Sequence, residues 1–113
     1  MECIFCKIVD EKIPAQIIYK DDRAIAFEDI NPQAPVHILI IPKEHIRTMD
    51  DLEDSHCLIM GKVILAAAQI ARREGLDEEG YRVVMNCRQH GGQTVFHIHL
   101  HLLGGRPMGW PPG

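Results

Sequence analysis

The pattern of apolar and polar residues predicts five strands, because short runs rich in branched side chains alternate with turn residues. A hairpin is expected first, with Asp21 and Asp22 forming the turn between two apolar runs. The run VHILIIP is interrupted only by His37 and is stopped by Pro42, which predicts a well-buried strand. The predicted strands cover residues 17–19, 24–27, 36–42, 81–86 and 94–103.

Residues 50–75 are the one long segment with helical periodicity. Acidic residues crowd its expected start, Arg72 and Arg73 occupy the last turn, and Gly75 supplies a stop. Strands that adjoin strands, with one long helix between them, favour an α+β fold with an antiparallel sheet. The apolar residues of the predicted buried helix face are Leu58, Ile59, Val63, Ala66, Ala67 and Ile70.

Length and charge narrow the possible functions. A chain of 113 residues predicts one domain, and a formal net charge of −4 argues against general nucleic-acid binding, since a phosphate backbone would be repelled. The start MECIFCKIVDEK lacks the features of a secretory signal, and no apolar run approaches the roughly 20 residues that cross a bilayer. We therefore expect a cytoplasmic protein with no membrane contact and with reduced thiols.

The stretch VFHIHLHLLGG carries the candidate chemistry. His97, His99 and His101 alternate with aliphatic residues, so a strand would present all three on one face. A solvated amphipathic face is one explanation, although such faces usually carry Lys, Glu, Thr and Ser. One metal ion held by all three is disfavoured, because the outer two begin roughly 13 Å apart at ~3.3 Å per residue, whereas zinc–nitrogen bonds are about 2.0–2.1 Å.

A phosphate group fits two neighbouring histidines better than a metal ion does. One imidazole can attack phosphorus while the next donates a hydrogen bond to a non-bridging oxygen. The preceding segment Gly91-Gly92-Gln93-Thr94 offers backbone N–H groups in a glycine-permissive turn, which is a plausible site for an anion. From the residues alone, the prediction is phosphate chemistry carried out by histidines.

The segment from His97 to Leu103 fits the signature His-φ-His-φ-His-φ-φ and resembles the histidine triad (HIT) superfamily. The stretches CIFCKI, FEDINPQAPVHILIIPKEHI and GGQTVFHIHLHLLGGRPMGWPPG extend the resemblance over nearly the whole chain, and they look like the Hint branch, the purine nucleoside phosphoramidases. The resemblance implies a HIT-like α+β fold with a five-stranded antiparallel sheet, one long helix and one short helix. It also implies a homodimer whose two sheets join, a single HIT domain over residues 1–113, and a C-terminal tail (104–113) near the dimer interface.

The resemblance further implies cleavage of the P–N bond of adenosine or guanosine 5′-phosphoramidates, through a nucleotidyl-histidine intermediate on His99. His101 would contact the phosphate oxygens, while His97 and His37 would position the nucleophile. Thr94 stands where the Hint branch generally carries serine, so its hydroxyl would protonate the leaving amine. Two alternatives stay open, namely hydrolysis of dinucleoside polyphosphates, as in the fragile-histidine-triad branch, and a nucleotide-binding scaffold with incidental activity.

Substrate contacts also follow from the resemblance. Asp29 would accept hydrogen bonds from the ribose hydroxyls, and Asn86 and the Gly92 backbone would contact the phosphate. Gln93, in the same glycine-rich segment, is also expected among the substrate-binding residues. Trp110 would pack at the dimer interface, so that the tail influences the neighbouring active site. The residues at or near the base pocket would be Phe5, Ile8, Ile13, Phe27 and Ile30.

Cys3 and Cys6 form a CxxC pair, which in a reduced compartment is half of a zinc site, a redox pair or part of the core. Several bacterial HIT proteins pair this motif with the histidine of IPKxH and the first triad histidine, which here are His45 and His97. The resemblance therefore implies a closed Cys₂His₂ zinc site made of these four residues. Zinc would brace the fold, and no cofactor is expected for catalysis.

Overall fold

The computed structural model of the protein describes residues 3–113. Its strands are β1 (Ile17–Lys20), β2 (Ala24–Glu28), β3 (Val36–Pro42), β4 (Arg82–Val84) and β5 (Leu100–Gly104), and its helices are α1 (Ile4–Val9), α2 (Cys57–Arg73) and α3 (Arg88–Gly91). The five strands form one sheet in the order β1-β2-β3-β5-β4, with every neighbouring pair antiparallel. The predicted α+β fold and its five-stranded antiparallel sheet are confirmed.

The two faces of the sheet bury different sets of residues, because successive side chains of a strand point to opposite sides. On one face, Ile38 and Ile40 pack with Val63 and Ile70 of α2. On the other face, the residues that alternate with them pack against α1. This second cluster contains Phe5, Ile8, Ile25, Phe27, Leu39 and Ile41.

Helix α2 begins at Cys57, seven residues later than the predicted start at Asp50. Two 3₁₀ turns, Met49–Asp51 and Asp54–His56, occupy the acidic segment instead. The Glu53 side chain and the His56 ring cap each other's backbone, and such local hydrogen bonds compete with the helix for the same amides. The predicted stop is confirmed, since Gly75 follows the helix with φ of +74°.

The predicted buried face of α2 is correct except for Leu58, which is 57% exposed. Leu58, Ile64 and Leu65 are large apolar residues that this helix leaves exposed. By length and composition alone, the segment Asp54–Arg73 is long and apolar enough to cross a membrane, contrary to the expectation that no apolar run approaches that length. Core helices pass the same test, and the opposite face of α2 packs against the sheet.

Strand β5 is shorter than the predicted strand 94–103, because regular pairing begins only at Leu100. The register places Ile40 opposite Leu100, so the next partners on β3 would be Ile41 and Pro42. Proline has no N–H to continue the ladder, and the Ile98 amide donates instead to the carbonyl of Ile46 at 2.6 Å. His97 and His99 therefore lie on the segment that leads into the strand.

Two other boundaries also differ from the predictions. Strand β4 covers only residues 82–84 of the expected 81–86. The expected loop 88–93 contains the short helix α3, which ends at Gly91 and is followed by Gly92 with φ of +85°. The tail packs loosely on the strand before this loop, since Arg82 donates to the Gly109 carbonyl at 2.8 Å and its guanidinium lies 6.0 Å from the Trp110 ring centroid.

Candidate active site

The sheet face opposite α2 carries a cleft of about 870 Å³. Its polar wall is formed by His37 on β3, His101 on β5, and His99 just before β5. The rings of His99 and His101 have centroids 5.0 Å apart, and His37 Nε2 lies 2.9 Å from His101 Nδ1. The structure thus places the second and third triad histidines, together with His37, at one surface of a ligand-sized cavity.

Hydrogen bonds to carbonyl groups assign the tautomers of His97 and His99. Nδ1 of His99 lies 2.8 Å from the carbonyl oxygen of His97, and Nε2 of His97 lies 2.8 Å from that of Pro42. A carbonyl oxygen only accepts, so each of these nitrogens must carry a proton. In the neutral rings, His99 therefore keeps a lone pair on Nε2, and His97 keeps one on Nδ1.

A chain of two hydrogen bonds fixes the orientation of the other two rings. The backbone N–H of Gln33 donates to His37 Nδ1 at 3.0 Å, so the proton of His37 lies on Nε2. His37 Nε2–H then donates to His101 Nδ1 at 2.9 Å. His101 must accept on Nδ1, so its own proton lies on Nε2. In the neutral rings, His99 therefore has a lone pair on Nε2, whereas His101 has a proton on Nε2.

Burial keeps the rings of His99 and His101 uncharged near neutral pH. Desolvation lowers the pKa of His99 below the ordinary value of 6.5. Desolvation, followed by the neighbouring His99 and His37, lowers the pKa of His101 to about 4. An unprotonated imidazole is the form that can act as a nucleophile, while neutral His101 still has one N–H to donate.

Asp29 forms the acidic part of the cleft. Its Oδ1 accepts the N–H of Asn31 at 2.8 Å, and its Oδ2 lies 3.4 Å from His37 Nε2. The side chain is 18% exposed, so the carboxylate is held in place and still accessible to a ligand in the cleft. Such a carboxylate can accept hydrogen bonds from hydroxyl groups.

Apolar side chains make up the rest of the cleft. The Phe5 ring contacts those of Phe27 and His99 edge to face, with centroids 5.4 and 5.2 Å apart. Ile30 stands fully exposed at the rim, so a ligand covering it would remove apolar surface from water. The apolar lining consists of Ile4, Phe5, Ile8, Ile13, Pro14, Ala15, Phe27, Ile30, Leu39 and Val95.

A second cluster lies behind the cleft, where the ligating atoms of Cys3, Cys6, His45 and His97 all fall within 4.8 Å of one another. His97 Nδ1 is 3.4 Å from Cys3 Sγ, 3.6 Å from Cys6 Sγ and 3.2 Å from His45 Nδ1. Cys6 Sγ is 3.3 Å from His45 Nδ1. These four residues come from three separate parts of the chain and converge on one point.

The dimensions of this cluster fit a tetrahedral zinc ion. With Zn–S bonds of about 2.3 Å and Zn–N bonds of about 2.0–2.1 Å, two nitrogens lie about 3.3 Å apart, and a nitrogen and a sulfur about 3.6 Å apart. His97 offers its Nδ1 lone pair because Nε2–H is held by Pro42, a typical outer-shell arrangement. Nε2 of His45, by contrast, is buried with no partner among the described residues.

Without a metal, the Cys6 thiol stays protonated. Burial, followed by the hydrogen bond with Cys3, raises the pKa of the Cys6 thiol to about 11. A zinc ion bound here would displace thiol protons, because the thiolate is the ligand. All four cysteines of the chain are free, so none is committed to a disulfide.

Comparison with known proteins decides the family. Residues 10–108 match the family described as the HIT domain. The chain belongs to the HIT family. The expected family is therefore confirmed, and His97, His99 and His101 lie within the matched residues.

Relatives cover almost the whole of this HIT protein. A protein of Escherichia coli (strain K12) named purine nucleoside phosphoramidase is 55% identical over 108 residues, 96% of this chain and 91% of the relative. A 14 kDa zinc-binding protein of Zea mays is 51% identical over 112 residues, 97% of this chain and 87% of the relative. The crystal structure of a HIT family hydrolase from Legionella pneumophila Philadelphia 1 has a TM-score of 0.97 and 52% identity, covering 99% of this chain and 100% of that one.

Most of the residues expected at the active site of this HIT domain do line the cleft. Thr94, Asp29 and all five expected base-pocket residues are among them. Asn86 and Gly92 lie in the adjoining loop instead, and Trp110 is 84% exposed on the tail of the single chain. Whether these three contact a substrate stays a prediction.

Gln93 also lies outside the lining, beneath the loop. Its side chain is 7% exposed, and its amide bonds to three backbone groups. Oε1 accepts from the Arg88 N–H at 2.8 Å, and Nε2 donates to the carbonyls of Arg47 and Val95 at 2.8 and 3.0 Å. This HIT domain therefore uses the Gln93 side chain to hold the loop that ends at Thr94.

Sequence reasoning missed three groups that the structure brings to the triad. The Gln33 amide and the Pro42 carbonyl orient histidine rings through their backbone atoms, which leave no trace in a sequence pattern. Leu39 lines the cleft, and its place in a buried strand, two residues after His37, could have identified it.

Proposed function

We propose that this HIT protein is a hydrolase that cleaves the P–N bond of purine nucleoside 5′-phosphoramidates through a nucleotidyl intermediate on His99. The observation that carries the proposal is the tautomer of His99. Its Nδ1–H is held by the His97 carbonyl at 2.8 Å, which leaves Nε2 as a lone-pair nitrogen on a residue that lines the cleft. The phosphoramidase name of the Escherichia coli relative supports the same reaction.

In the first step, Nε2 of His99 attacks the α-phosphorus, an N–P bond to the ring forms, and the bond to the amine breaks. The amine leaves with the bonding electron pair and takes a proton, for which the Thr94 hydroxyl at the cleft is the proposed donor. The ring of His99 becomes positively charged, and the His97 carbonyl that accepts from Nδ1–H stabilises it. His101 Nε2–H donates to a non-bridging phosphoryl oxygen.

In the second step, water attacks the same phosphorus and gives up a proton to the Thr94 oxygen, which restores its hydroxyl group. The N–P bond breaks, which returns the lone pair to His99. The products are a nucleoside monophosphate and the regenerated enzyme. His37 acts through His101, because its Nε2–H bond keeps the His101 proton on the nitrogen that meets the phosphoryl group.

The chemistry of the cleft supports a nucleoside as the bound group. Its apolar walls, with the Phe5 and Phe27 rings among them, suit a flat base. Asp29 is proposed to accept hydrogen bonds from the two ribose hydroxyls. Ile30 would cover the outer face of the base from the rim. The preference for purines rests on the resemblance and on the name of the relative.

The Cys₂His₂ cluster is proposed to bind zinc as a structural ion. Four protein ligands leave no open position on a tetrahedral ion, which is the usual difference between structural and catalytic zinc. Zinc bound there would supply stability, while the reaction steps are carried by the chain's own histidines. The name of the Zea mays relative supports zinc binding.

We also propose a cytoplasmic homodimer formed by one HIT domain over residues 1–113, with the tail 104–113 near the interface. Strand β4 is an edge strand whose Val83 is 46% exposed, and it can pair with the same strand of a second copy. Such a partner would cover exposed apolar side chains, among them those of α2 and Trp110. Free cysteines support a reducing compartment, and the net charge of −4 supports the expectation that no nucleic acid is bound.

The experiment that tests the reaction compares His99→Ala with His90→Ala, because His90 is exposed on α3. Turnover of adenosine 5′-phosphoramidate should disappear in His99→Ala, while AMP binding stays within a few-fold of the wild-type value. His90→Ala should behave like the wild type in both assays. Substantial turnover by His99→Ala would remove His99 from its role, and faster wild-type turnover of a diadenosine polyphosphate would favour that substrate class.

A further inference from the structure

Helix α1 is a wall of the cleft, and side chains hold it to the rest of the fold. It has only six residues, too few for a helix that is stable by itself. The backbone amides of residues 7 and 10–12 donate to carbonyls of residues 3–8, so these bonds stay within the segment. The position of α1 therefore depends on Phe5 and Ile8, which pack in the second core cluster, and on its two cysteines.

The two cysteines lie at the beginning of this helix. The Cys3 sulfur accepts the Cys6 N–H at 3.3 Å and so caps α1, while Cys6 lies one turn inside the helix. Across the cluster stand His45, which follows β3, and His97, which precedes β5. A zinc ion bound to all four would join α1 to the neighbouring strands β3 and β5 of the sheet.

Phe5 lies between the two cysteines in the sequence and connects the cluster to the cleft. It is 6% exposed, and its ring centroid lies 5.9 Å from that of His97, a member of the cluster, and 5.2 Å from that of His99. A shift of α1 would therefore move a ring that forms part of the base-facing wall. The neighbouring residues Ile4 and Ile8 line the same cleft and would move with it.

We propose that zinc binding and base binding are thermodynamically linked through α1. Zinc seats Cys3 and Cys6, which fixes Phe5 and Ile8 in the arrangement that receives the base. By reciprocity, a bound base holds α1 in place and raises the affinity of the cluster for zinc by the same factor. This linkage rests on the proposed function, since it requires that the apolar cleft accept a nucleotide base.

Two ligands that differ only in the base test the linkage. AMP and ribose 5-phosphate share the phosphate and the ribose, and only AMP reaches the α1 wall. Calorimetric titrations of zinc-loaded and chelator-treated protein should show AMP binding weakened about fivefold or more by zinc removal, the lower end of typical couplings between sites. Ribose 5-phosphate binding should change less than about twofold.

Two cysteine variants test whether the effect of zinc on AMP binding depends on the Cys₂His₂ cluster. Cys6→Ser should bind AMP like the chelated protein and should not respond to added zinc. Cys57→Ser is the matched control, because Cys57 is exposed on α2, and it should keep the wild-type response. If zinc removal unfolds the protein, the reverse measurement uses the holoprotein, in which AMP should slow zinc transfer to a competing chelator more than ribose 5-phosphate does.

The possible results distinguish failure of the linkage from failure of the proposed function. Equal AMP affinity with and without zinc overturns the linkage, as does an equal loss of affinity for AMP and ribose 5-phosphate, which would indicate a global effect of zinc on the fold. Equal rates of zinc transfer with the two ligands overturn it as well. Failure of the zinc-loaded protein to bind AMP at all overturns the proposed function, and the linkage with it.

Discussion

Replacement of Gln93 by leucine tests whether the loop before the triad is held by one buried amide. The wild-type side chain makes three hydrogen bonds with backbone groups, to the Arg88 N–H and to the carbonyls of Arg47 and Val95. Each such bond contributes a net ~1 kcal/mol, and leucine can make none of them. The apolar replacement fills similar space, so the expected loss is about 3 kcal/mol, or roughly 10–15 °C in Tm for a domain of this size.

Urea unfolding followed by far-UV circular dichroism measures this loss, with zinc at a fixed concentration. Gln89→Leu is the control, because Gln89 is exposed on α3 and its replacement should change the free energy of unfolding by no more than ~0.5 kcal/mol. Gln93→Glu keeps the acceptor but loses both donors and buries a carboxylate beside two carbonyls, so it should cost at least as much as Gln93→Leu. A loss below about 1 kcal/mol with an unchanged m-value would refute the reasoning.

Three further predictions concern the cleft. The pKa of His101 is about 4 in the fold, against the ordinary 6.5 expected in the unfolded chain. The unfolded state therefore binds more protons, and the free energy of unfolding of the metal-free protein, measured from denaturation curves, should decrease as the pH falls from about 6.5 to 4. His101→Asn should make this pH dependence less steep, and an unchanged pH dependence would contradict the lowered pKa of His101. Thr94→Val should slow release of an alkylamine about 100-fold. Turnover of a p-nitrophenyl ester of AMP should be nearly unaffected, because its leaving group needs no proton. Equal losses of rate with the two substrates would exclude Thr94 as the proton donor. Asp29→Asn should weaken AMP about tenfold and 2′,3′-dideoxy-AMP hardly at all in calorimetric titrations, whereas equal weakening of both would argue against ribose contacts.

The first three strands were predictable because local chemistry sets their limits. The Asp21 turn and Pro42 mark the boundaries in the sequence itself, and Asp21 also binds the amides of Arg23 and Ala24 across the turn. The beginning of β5 was not predictable in this way. It depends on Pro42, which is distant in sequence but lies beside β5 in the sheet, and a strand ends where its partner has no N–H to offer.

The candidate site was predictable as a set of residues but not as an arrangement. Resemblance to the HIT family named Asp29, His37, Thr94 and the base-pocket residues, all of which line one cleft. It could not give the tautomers, because these depend on backbone groups such as the Gln33 amide. It also assigned Gln93 to the substrate. The structure engages its side-chain amide with three backbone groups, and a substrate contact of Gln93 stays a prediction.

Rapid mixing of the protein with an adenosine phosphoramidate, followed by quenching in alkali and peptide mass spectrometry, tests the central claim most directly. The account predicts an adenylyl group on His99 that forms before AMP is released and that is absent from His99→Ala. Steady release of AMP with no covalent adduct at any time, or an adduct on His97 or His101 instead, would contradict it.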